Sequence, residues 1–138
     1  MTKHRFAIEN KVRFADVDPA GIVFYPRYFE MINAAVEDWF EQCGMDFDTM
    51  HRKVGLGVPT VDLKARFIAP SELGEILTIA IDVEDLSRSS CRIKVEFTCQ
   101  GQQRLVAEVV LVCMDLAARR STPWPDDLRA AMAGDAGG

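Results

Sequence analysis

The sequence predicts an α+β domain in which a five-stranded antiparallel sheet wraps around one long helix. Five segments have the composition of strands, and in four of them apolar residues occupy every second position. One segment, residues 26–43, instead repeats its apolar residues every three or four positions, which is the period of a helix. Because this helix is apolar over a wide face, it must be largely covered, and a sheet curled around it is the simplest solution.

The first strand and the long helix are predicted near the start of the chain. Residues 5–14, RFAIENKVRF, alternate apolar and polar side chains apart from a break at Asn10. The helix is expected to begin at Pro26, where the missing N–H of proline costs nothing. It is expected to end at Cys43, because Gly44 can adopt the left-handed conformation that closes a helix. A helix of this length is about 27 Å long.

Four further strands are predicted after a loop at residues 44–57, which has room for a short helical turn. They are VPTVDLKARFI, EILTIAIDVEDL, SCRIKVEFTC and RLVAEVVLVCMDL, at residues 58–68, 75–86, 90–99 and 104–116. The last is apolar almost throughout, which is typical of a strand covered on both faces. The connections SELGE, SRSS and QGQQ are short and polar, so we predict three hairpins that join antiparallel neighbours. Beyond Pro123 the chain is polar and helical in pattern, and residues 133–138 are expected to fray.

Length and charge limit the classes of protein that this chain can be. Its 138 residues suit one domain, spanning residues 1–138, with one core. No apolar run approaches the roughly 18 residues needed to cross a bilayer, so no membrane partner is expected. The N-terminal MTKHRFAIEN lacks the apolar centre of a secretion signal, which favours a cytoplasmic protein. The net charge of −5 argues against nucleic acid as a partner, because nucleic-acid binding needs a basic surface.

The cysteines have no spacing typical of a metal site. None of Cys43, Cys91, Cys99 and Cys113 forms a Cys-x-x-Cys pair, and both histidines are far from all of them in the sequence. No zinc or other metal site is therefore expected. Cys91 and Cys99 have the same parity in an alternating strand, so both are expected to be buried, reduced thiols.

A turn rich in small and acidic residues, DVDPAG at residues 16–21, separates the first strand from the helix. The sequence has no Gly-x-Ser-x-Gly elbow, no Gly-x-Gly-x-x-Gly and no phosphate-binding loop. A carboxylate such as that of Asp18 could instead attack a carbonyl carbon or remove a proton from water. The developing oxyanion could accept a hydrogen bond from the backbone N–H of Tyr25, at the positive end of the helix. The alternative is that Asp16 and Asp18 only cap and solvate the turn.

The stretch FADVDPAGIVFYPRYFEMINAA resembles the 4-hydroxybenzoyl-CoA thioesterase family. That family has Phe-x-Asp-x-Asp-Pro-Ala-Gly-Ile-Val at this place and continues through Tyr-Pro into its central helix. The later ARFIAPSELGEIL resembles the turn after the family's second strand, so the resemblance covers most of the chain. It implies the hotdog fold and hydrolysis of an acyl-CoA or aryl-CoA thioester. It also implies no cofactor, since coenzyme A is part of the substrate.

The resemblance assigns roles to the residues of the turn. Asp18 matches the family's catalytic carboxylate, which acts as nucleophile or general base. Tyr25 matches the residue whose backbone N–H polarises the thioester carbonyl. Pro19 and Gly21 match the turn that shapes the substrate site. Asp16 matches the first acid of the motif, which either holds the turn or assists the second.

Two positions depart from the family pattern. Asn33 stands where the 4-hydroxybenzoyl enzyme has an aspartate that meets the phenol of the substrate. Asparagine can still form a hydrogen bond but offers no charge, which puts the 4-hydroxybenzoyl substrate in question. In the hairpin LSRSSCR, Arg88 is the candidate contact for the phosphates of coenzyme A, where the family has several basic residues. The alternative is that Arg88 belongs to a merely solvated turn.

The helix and the assembly leave further alternatives. Met31, Trp39 and Phe40 are either an acyl pocket or core, and we favour core. The polar stripe of the helix faces solvent or a second subunit, and its members are Glu30, Asn33, Glu37 and Glu41. Glu37 as the catalytic acid, as in a different thioesterase subclass, is a less favoured hypothesis.

The resemblance implies a homodimer or homotetramer with the site at the subunit interface, and long strand edges agree with pairing. A non-catalytic acyl-CoA-binding module and a hotdog dehydratase remain alternatives, although a dehydratase needs a histidine near Asp18.

Overall fold

A computed structural model describes residues 6–134 of the protein. Its elements in chain order are β1 (Phe6–Lys11), α1 (Pro26–Gln42), β2 (Leu56–Gly57), β3 (Thr60–Phe67), β4 (Ile76–Leu86), β5 (Ser90–Cys99), β6 (Gln102–Val112), β7 (Met114–Asp115), β8 (Arg120–Ser121) and α2 (Asp126–Met132). The main sheet is antiparallel with the order β1-β4-β5-β6-β3, and β2, β7 and β8 form a small second sheet. The predicted class, five strands and one long helix, is confirmed.

Helix α1 packs against one face of the main sheet, with which it shares the hydrophobic core. It begins at Pro26, as predicted, and ends at Gln42, one residue before the predicted end. Gly44 closes it with a φ of 95°, a conformation that glycine adopts without strain. The residues predicted to be core are buried: Met31, Trp39 and Phe40. Burial of this apolar face against the sheet is the main source of the fold's stability.

The inner face of the sheet is formed by every second residue of its central strands. In β5 these residues are Cys91, Ile93, Val95, Phe97 and Cys99, all of them buried. The predicted burial of Cys91 and Cys99 is therefore confirmed. Phe97 contacts Tyr28 of α1 edge to face, with 5.3 Å between the ring centres.

One of the three predicted hairpins was wrong. The turns SRSS and QGQQ join β4 to β5 and β5 to β6, as predicted. SELGE does not join neighbours, because β3 pairs with β6 and β4 pairs with β1 and β5. Residues 68–75, here called the crossover, pass from the β3 edge of the sheet to the other side. A short polar segment has the same composition whether its backbone bonds to an adjacent strand or to a distant part of the chain.

The crossover is hydrogen-bonded to residues 12–25, here called the acidic loop. The N–H of Val23 donates to the carbonyl of Ser71 at 2.9 Å, and the N–H of Leu73 donates to that of Gly21 at 3.0 Å. The Gly74 N–H donates to Val12 at 2.9 Å. These bonds satisfy the backbone groups that a hairpin would have satisfied internally.

Several boundaries differ from the predicted ones. The first strand ends at Lys11, and Phe14 is 83% exposed in a turn of 3-10 helix rather than half-buried in a strand. The loop at 44–57 contains a single helical turn, Thr49–Val54, and strand β2. The predicted last strand is divided at Cys113 into β6 and β7. Residue 5, in the predicted first strand, and residues 135–138, in the segment predicted to fray, lie outside the described residues.

Strand β6 is not covered on both faces within one chain. Its inner residues are buried, but Val106 and Val110 on the outer face are only half-buried. The expectation drawn from its apolar composition was therefore wrong for the single chain. Within residues 6–134, no helix has the length and apolar character needed to span a membrane.

Candidate active site

Asp16 holds the acidic loop together. Its carboxylate oxygen Oδ2 accepts a hydrogen bond from the backbone N–H of Arg13 at 2.8 Å. Its backbone carbonyl accepts another from the N–H of Phe24 at 2.9 Å, on the far side of the loop. The side chain and main chain of Asp16 thus join the start of the loop to its end, which favours the structural alternative for this residue.

Asp18 lies at the tip of the same loop and is half-buried. Its Oδ1 accepts a hydrogen bond from the N–H of Ala20 at 2.8 Å, and its backbone pairs with Ile22 and Gly21. Gly21 has a φ of 81°, so a side chain at this position would strain the turn. Among residues 6–134, Oδ2 of Asp18 has no hydrogen-bond partner. One oxygen therefore fixes the carboxylate while the other remains available for chemistry.

The N-terminus of α1 presents one unused backbone donor next to this loop. Pro26 has no N–H, the N–H of Arg27 donates to Phe24 at 2.8 Å, and that of Tyr28 donates to Tyr25 at 3.2 Å. The Tyr25 N–H makes no hydrogen bond to any residue that the structure describes. The positive end of the helix dipole adds to the attraction of this donor for a negative oxygen.

An aromatic cavity of about 270 Å³ adjoins Tyr25. Its lining residues are Ile22, Val23, Tyr25, Tyr28, Phe67, Ile68, Ala69 and Pro70. Phe67 contacts the rings of Tyr25, Tyr28 and Phe29 edge to face, with 6.4, 5.9 and 6.3 Å between ring centres. The hydroxyl of Tyr28 bonds to that of Ser71 at 3.0 Å at the base of this region. Because Tyr25 is 61% and Phe67 51% exposed, the cavity is open to solvent.

Asn33 lies in a different cavity. This second cavity, of about 190 Å³, lies between α1 and the start of β3 and is lined by Phe29, Ile32, Asn33, Val36, Val58, Thr60, Leu63 and Leu111. Asn33 is seven residues beyond Pro26, or about 10 Å along the helix. The contact of Phe29 with Phe67 lies between the two cavities. The structure thus places Asn33 near the acidic loop but not in contact with the same cavity.

Arg88 lies at the opposite end of the sheet from the acidic loop. Lys11, just before the loop, pairs with Ile76 at the start of β4, whereas Arg88 follows Leu86 at its end. The ten steps along β4 correspond to about 33 Å. Within one chain, Arg88 is therefore not brought together with Asp18 or Tyr25. A second copy of the chain would have to supply it to the same site.

Sequence reasoning missed three features of this region: the buried hydroxyl of Ser71, the aromatic contacts of Phe67, and an ion pair between Arg104 and Glu75 under the crossover. These residues come from segments far apart in the chain, and each reads as an ordinary strand or turn residue. Within the described residues, no group of acidic, histidine or cysteine side chains could hold a metal ion.

Comparison with known proteins identifies the family. The sequence profile of the thioesterase-like superfamily matches residues 12–132. The chain belongs to this superfamily. It is also 31% identical over 123 residues to the 1,4-dihydroxy-2-naphthoyl-CoA hydrolase of Thermosynechococcus vestitus, a match that covers 88% of this chain and 84% of that protein. The predicted enzyme class, a thioester hydrolase, is confirmed.

Solved structures confirm the predicted hotdog fold. The 1,4-dihydroxy-2-naphthoyl-CoA thioesterase from Synechocystis superposes with a TM-score of 0.84 at 25% identity, covering 93% of this chain and 95% of that chain. A variant of 4-hydroxybenzoyl-CoA thioesterase, solved with 4-hydroxybenzoyl-CoA, superposes with a TM-score of 0.81 at 26% identity and covers 92% and 97%. The resemblance expected from the DVDPAG turn is therefore confirmed over almost the whole chain.

Proposed function

We propose that this superfamily member hydrolyses an aromatic acyl thioester of coenzyme A, with Asp18 as the reacting carboxylate and the Tyr25 amide as the oxyanion donor. One observation carries the proposal. The acidic loop holds a carboxylate with one unused oxygen, and a helix N-terminus with one unused N–H follows seven residues later, beside an aromatic cavity. Acyl transfer from a thioester needs these two groups.

The chemistry can follow two routes with the same residues. In the first, Asp18 attacks the carbonyl carbon, the carbon–sulfur bond breaks, and water hydrolyses the resulting mixed anhydride. In the second, Asp18 accepts a proton from a water molecule whose oxygen attacks the carbonyl carbon, the carbon–sulfur bond then breaks, and the proton passes to the leaving thiolate. In both, the carbonyl oxygen gains negative charge and accepts a hydrogen bond from the Tyr25 N–H, which stabilises the transition state. The products are the free acid and the thiol of coenzyme A.

The aromatic cavity favours a planar acyl group. Edge-to-face contacts with Tyr25, Tyr28 and Phe67 would hold an aromatic ring and cover it with apolar surface. The first candidate is a 1,4-dihydroxy-2-naphthoyl group, because the relative at 31% identity is named for it. The second is a 4-hydroxybenzoyl group. Pro19 and Gly21 of the turn and Asn33 complete the proposed substrate-contacting set. Asn33, in the neighbouring cavity, would form a hydrogen bond with a ring substituent that extends past the contact of Phe29 with Phe67.

The proposed site includes a second copy of the chain. Strand β3 is an edge of the main sheet with an unpaired backbone side and several exposed apolar residues, namely Val61, Leu63 and Phe67. Such an edge favours pairing with another chain. A twofold pairing would reverse the direction of the partner's sheet, which allows the partner's Arg88 hairpin to approach the acidic loop. Arg88 would then bind a phosphate of coenzyme A across the subunit interface.

The alternatives of a dehydratase and a binding module gain no support from the described residues. His51, the histidine among them, bonds to the carbonyl of Phe47 at 2.7 Å and packs on the Phe47 ring, away from Asp18. A binding module needs the cavities but not a carboxylate with an unused oxygen.

The test is thiol release from a panel of acyl-CoA thioesters with the wild type and two variants. The panel contains 1,4-dihydroxy-2-naphthoyl, 4-hydroxybenzoyl, benzoyl, phenylacetyl, short-chain and long-chain groups. The wild type is expected to hydrolyse an aromatic class, and Asp18→Asn to lose at least ~100-fold in kcat. Asp16→Asn is the matched control, because an asparagine oxygen can still accept the Arg13 hydrogen bond.

Three outcomes are informative. Loss in Asp18→Asn but not in Asp16→Asn supports the proposed chemistry. Equal activity of Asp18→Asn and wild type would exclude Asp18 as the reacting group. If no thioester is cleaved by any of the proteins while one acyl-CoA binds, the chain is a binding module and Asp18 is only a turn residue.

A further inference from the structure

A charged pair lies under the crossover, and its Arg104 is, with Ser71, one of the two buried polar residues among residues 6–134. Arg104 and Glu75 form a forked interaction, with Nη1 to Oε1 at 2.6 Å and Nη2 to Oε2 at 3.1 Å. The Arg104 side chain is only 7% exposed, and that of Glu75 is 26% exposed. The thiol of Cys99 also contacts Oε2 of Glu75, at 3.8 Å. A buried pair of this kind costs desolvation energy and is weak evidence for stability by itself.

An irregularity in β6 directs Arg104 inward. Phe97 of β5 pairs with Leu105, but the next residue of β5, Thr98, pairs with Gln103. Arg104 is therefore an extra residue in β6, and both it and Leu105 are buried. A bulge is a common device for re-aiming a side chain next to a functional site.

The pair of Arg104 and Glu75 holds the crossover in place by hydrogen bonds. Arg104 Nη1 donates to the carbonyl of Pro70 at 2.9 Å, and the Arg104 carbonyl accepts hydrogen bonds from Ile68 and Ala69 at 2.9 and 3.2 Å. Glu75 fixes the other end, since its Oε1 accepts the N–H of Glu72 at 2.7 Å. One side chain thus contacts both the first and the last part of the crossover.

The crossover in turn holds the acidic loop. Besides the three bonds already described, the N–H of Val12 donates to the carbonyl of Glu75 at 2.8 Å. The carbonyl of Ile22 pairs with the N–H of Asp18, and Ile22 bridges to Glu72 of the crossover. A continuous series of contacts therefore runs from Arg104 through the crossover to Asp18. Val12 and Val23 of the acidic loop are buried, whereas Phe14, Phe24 and Leu73 are exposed and add little apolar packing to this region.

We propose that Arg104, paired with Glu75, is a positioning residue that fixes the acidic loop and so the distance between the Asp18 carboxylate and the Tyr25 amide. The proposal rests on the proposed function for its effect on rate, but its structural part stands separately. Arg104 does not itself line the cavity and has no hydrogen bond to the acidic loop, so it acts through the crossover, which it contacts at Ile68, Ala69 and Pro70. Small displacements of a reacting group lower rates steeply, by about 100-fold for 1 Å.

The experiment measures backbone hydrogen exchange and kinetics for three variants. Arg104→Met removes both hydrogen bonds to Glu75, Arg104→Lys keeps one charged donor, and Arg52→Met is the matched control. Arg52 also forms a short ion pair, with Asp48 at 2.6 Å, but its side chain is 78% exposed and lies outside this region. If Arg104→Met fails to fold, Glu75→Gln takes its place, since the amide keeps the shape but loses the charge.

The expected result has two parts. In Arg104→Met, peptides covering residues 12–25 and 68–75 exchange at least ~10-fold faster, while peptides of β4 and β5 are unchanged. On the preferred thioester, kcat falls about 10-fold or more with KM changed less than about twofold, and Arg104→Lys lies between this variant and the wild type. Arg52→Met resembles the wild type in both measurements.

The two proposals fail in different ways. Unchanged exchange in both segments overturns the positioning role, whatever the kinetics show. Faster exchange with unchanged kcat also overturns it, because the loop would then move without affecting the reaction. If the wild type cleaves no thioester, the proposed function fails and so does the effect of Arg104 on rate, whereas faster exchange in the two segments still shows that Arg104 holds the acidic loop in place.

Discussion

The two ends of helix α1 are held by different forces. At the C-terminal end, Trp39 and Phe40 are almost completely buried, and the Phe40 ring contacts Phe47 and Trp124 at 5.8 and 6.0 Å between centres. At the N-terminal end, Tyr25 is exposed and the adjoining backbone is held by hydrogen bonds. The first end is closed by apolar packing, and the second is open and stabilised by polar contacts.

The ionisable groups near the two ends reflect this difference. Near the closed end, burial raises the pKa of the Cys113 thiol to about 11, because an apolar environment disfavours the charged form. Under the open end, the hydrogen bonds from Arg104 lower the pKa of Glu75 to about 2. The proposed substrate site lies at the open end, and a site that admits a substrate cannot be completely closed by apolar packing. The protein fixes its geometry there with charge and hydrogen bonds instead.

The largest expected effect tests whether apolar packing stabilises the C-terminal end of α1 more than the N-terminal end. Phe40→Ala should lower the free energy of unfolding by about 3–5 kcal/mol, because it leaves a cavity in a region with no exposure. Phe67→Ala should cost only about 1 kcal/mol, since half of that side chain already contacts water. Urea unfolding of both variants measures the difference. Equal losses would show that the open end depends on apolar packing as much as the closed end.

The next effect tests the unused donor at the open end. Tyr25→Pro removes the N–H while keeping a compatible backbone, because Tyr25 already has a φ of −53°. We expect kcat to fall by about 100-fold or more, as for other losses of one oxyanion donor. Tyr25→Phe, which keeps the amide, is the control and should retain kcat. A normal rate in Tyr25→Pro, with thermal unfolding unchanged, would exclude this amide as the donor.

The charged pair should make stability depend on acid. The pKa of Glu75 is about 2 in the folded protein, below its ordinary value of 4.5, so ionised Glu75 favours the folded state. Its contribution is complete above about pH 4.5 and is lost as the pH falls towards 2. Glu75→Gln should therefore cost about 2 kcal/mol at pH 7, and the difference from wild type should shrink at low pH. A pH-independent difference in urea unfolding would contradict this.

The smallest effect tests whether the open end is completed by a second subunit. Arg88→Ala should raise KM for the preferred acyl-CoA about 10-fold and leave kcat nearly unchanged. Refolding this variant together with excess Asp18→Asn should restore a low KM in part of the sites, because a mixed dimer pairs an intact Asp18 with an intact Arg88. If mixing restores nothing, Arg88 does not act across an interface.

The sequence was sufficient for elements whose signals are local. Helix α1 was predicted because the three- and four-residue spacing of its apolar residues, Pro26 and Gly44 all lie within one segment. The two correct hairpins have tight turns, and that between β5 and β6 places Gln100 and Gly101 at positive φ values of 52° and 80°. Such turns depend on the residues within them.

The missed features depend on contacts between distant segments. The crossover has the composition of a hairpin, and only its bonds to Gly21 and Val12 show otherwise. Arg104 stands at the edge of an apolar run, where an arginine is ordinarily solvated, and the bulge that turns it inward has no signal in one sequence. In the site, the DVDPAG motif predicted Asp18 and Tyr25, but the position of Arg88 relative to them requires the strand order.

The most direct test of the account is the single-turnover rate of hydrolysis in Asp18→Asn, measured by rapid quench with enzyme in excess over the preferred aromatic acyl-CoA. This measurement isolates the chemical step from product release. The account predicts a rate at least ~100-fold below that of wild type, with the same thermal unfolding temperature and acyl-CoA still bound. A single-turnover rate equal to that of wild type would contradict it, and the reacting group would have to be sought outside the acidic loop.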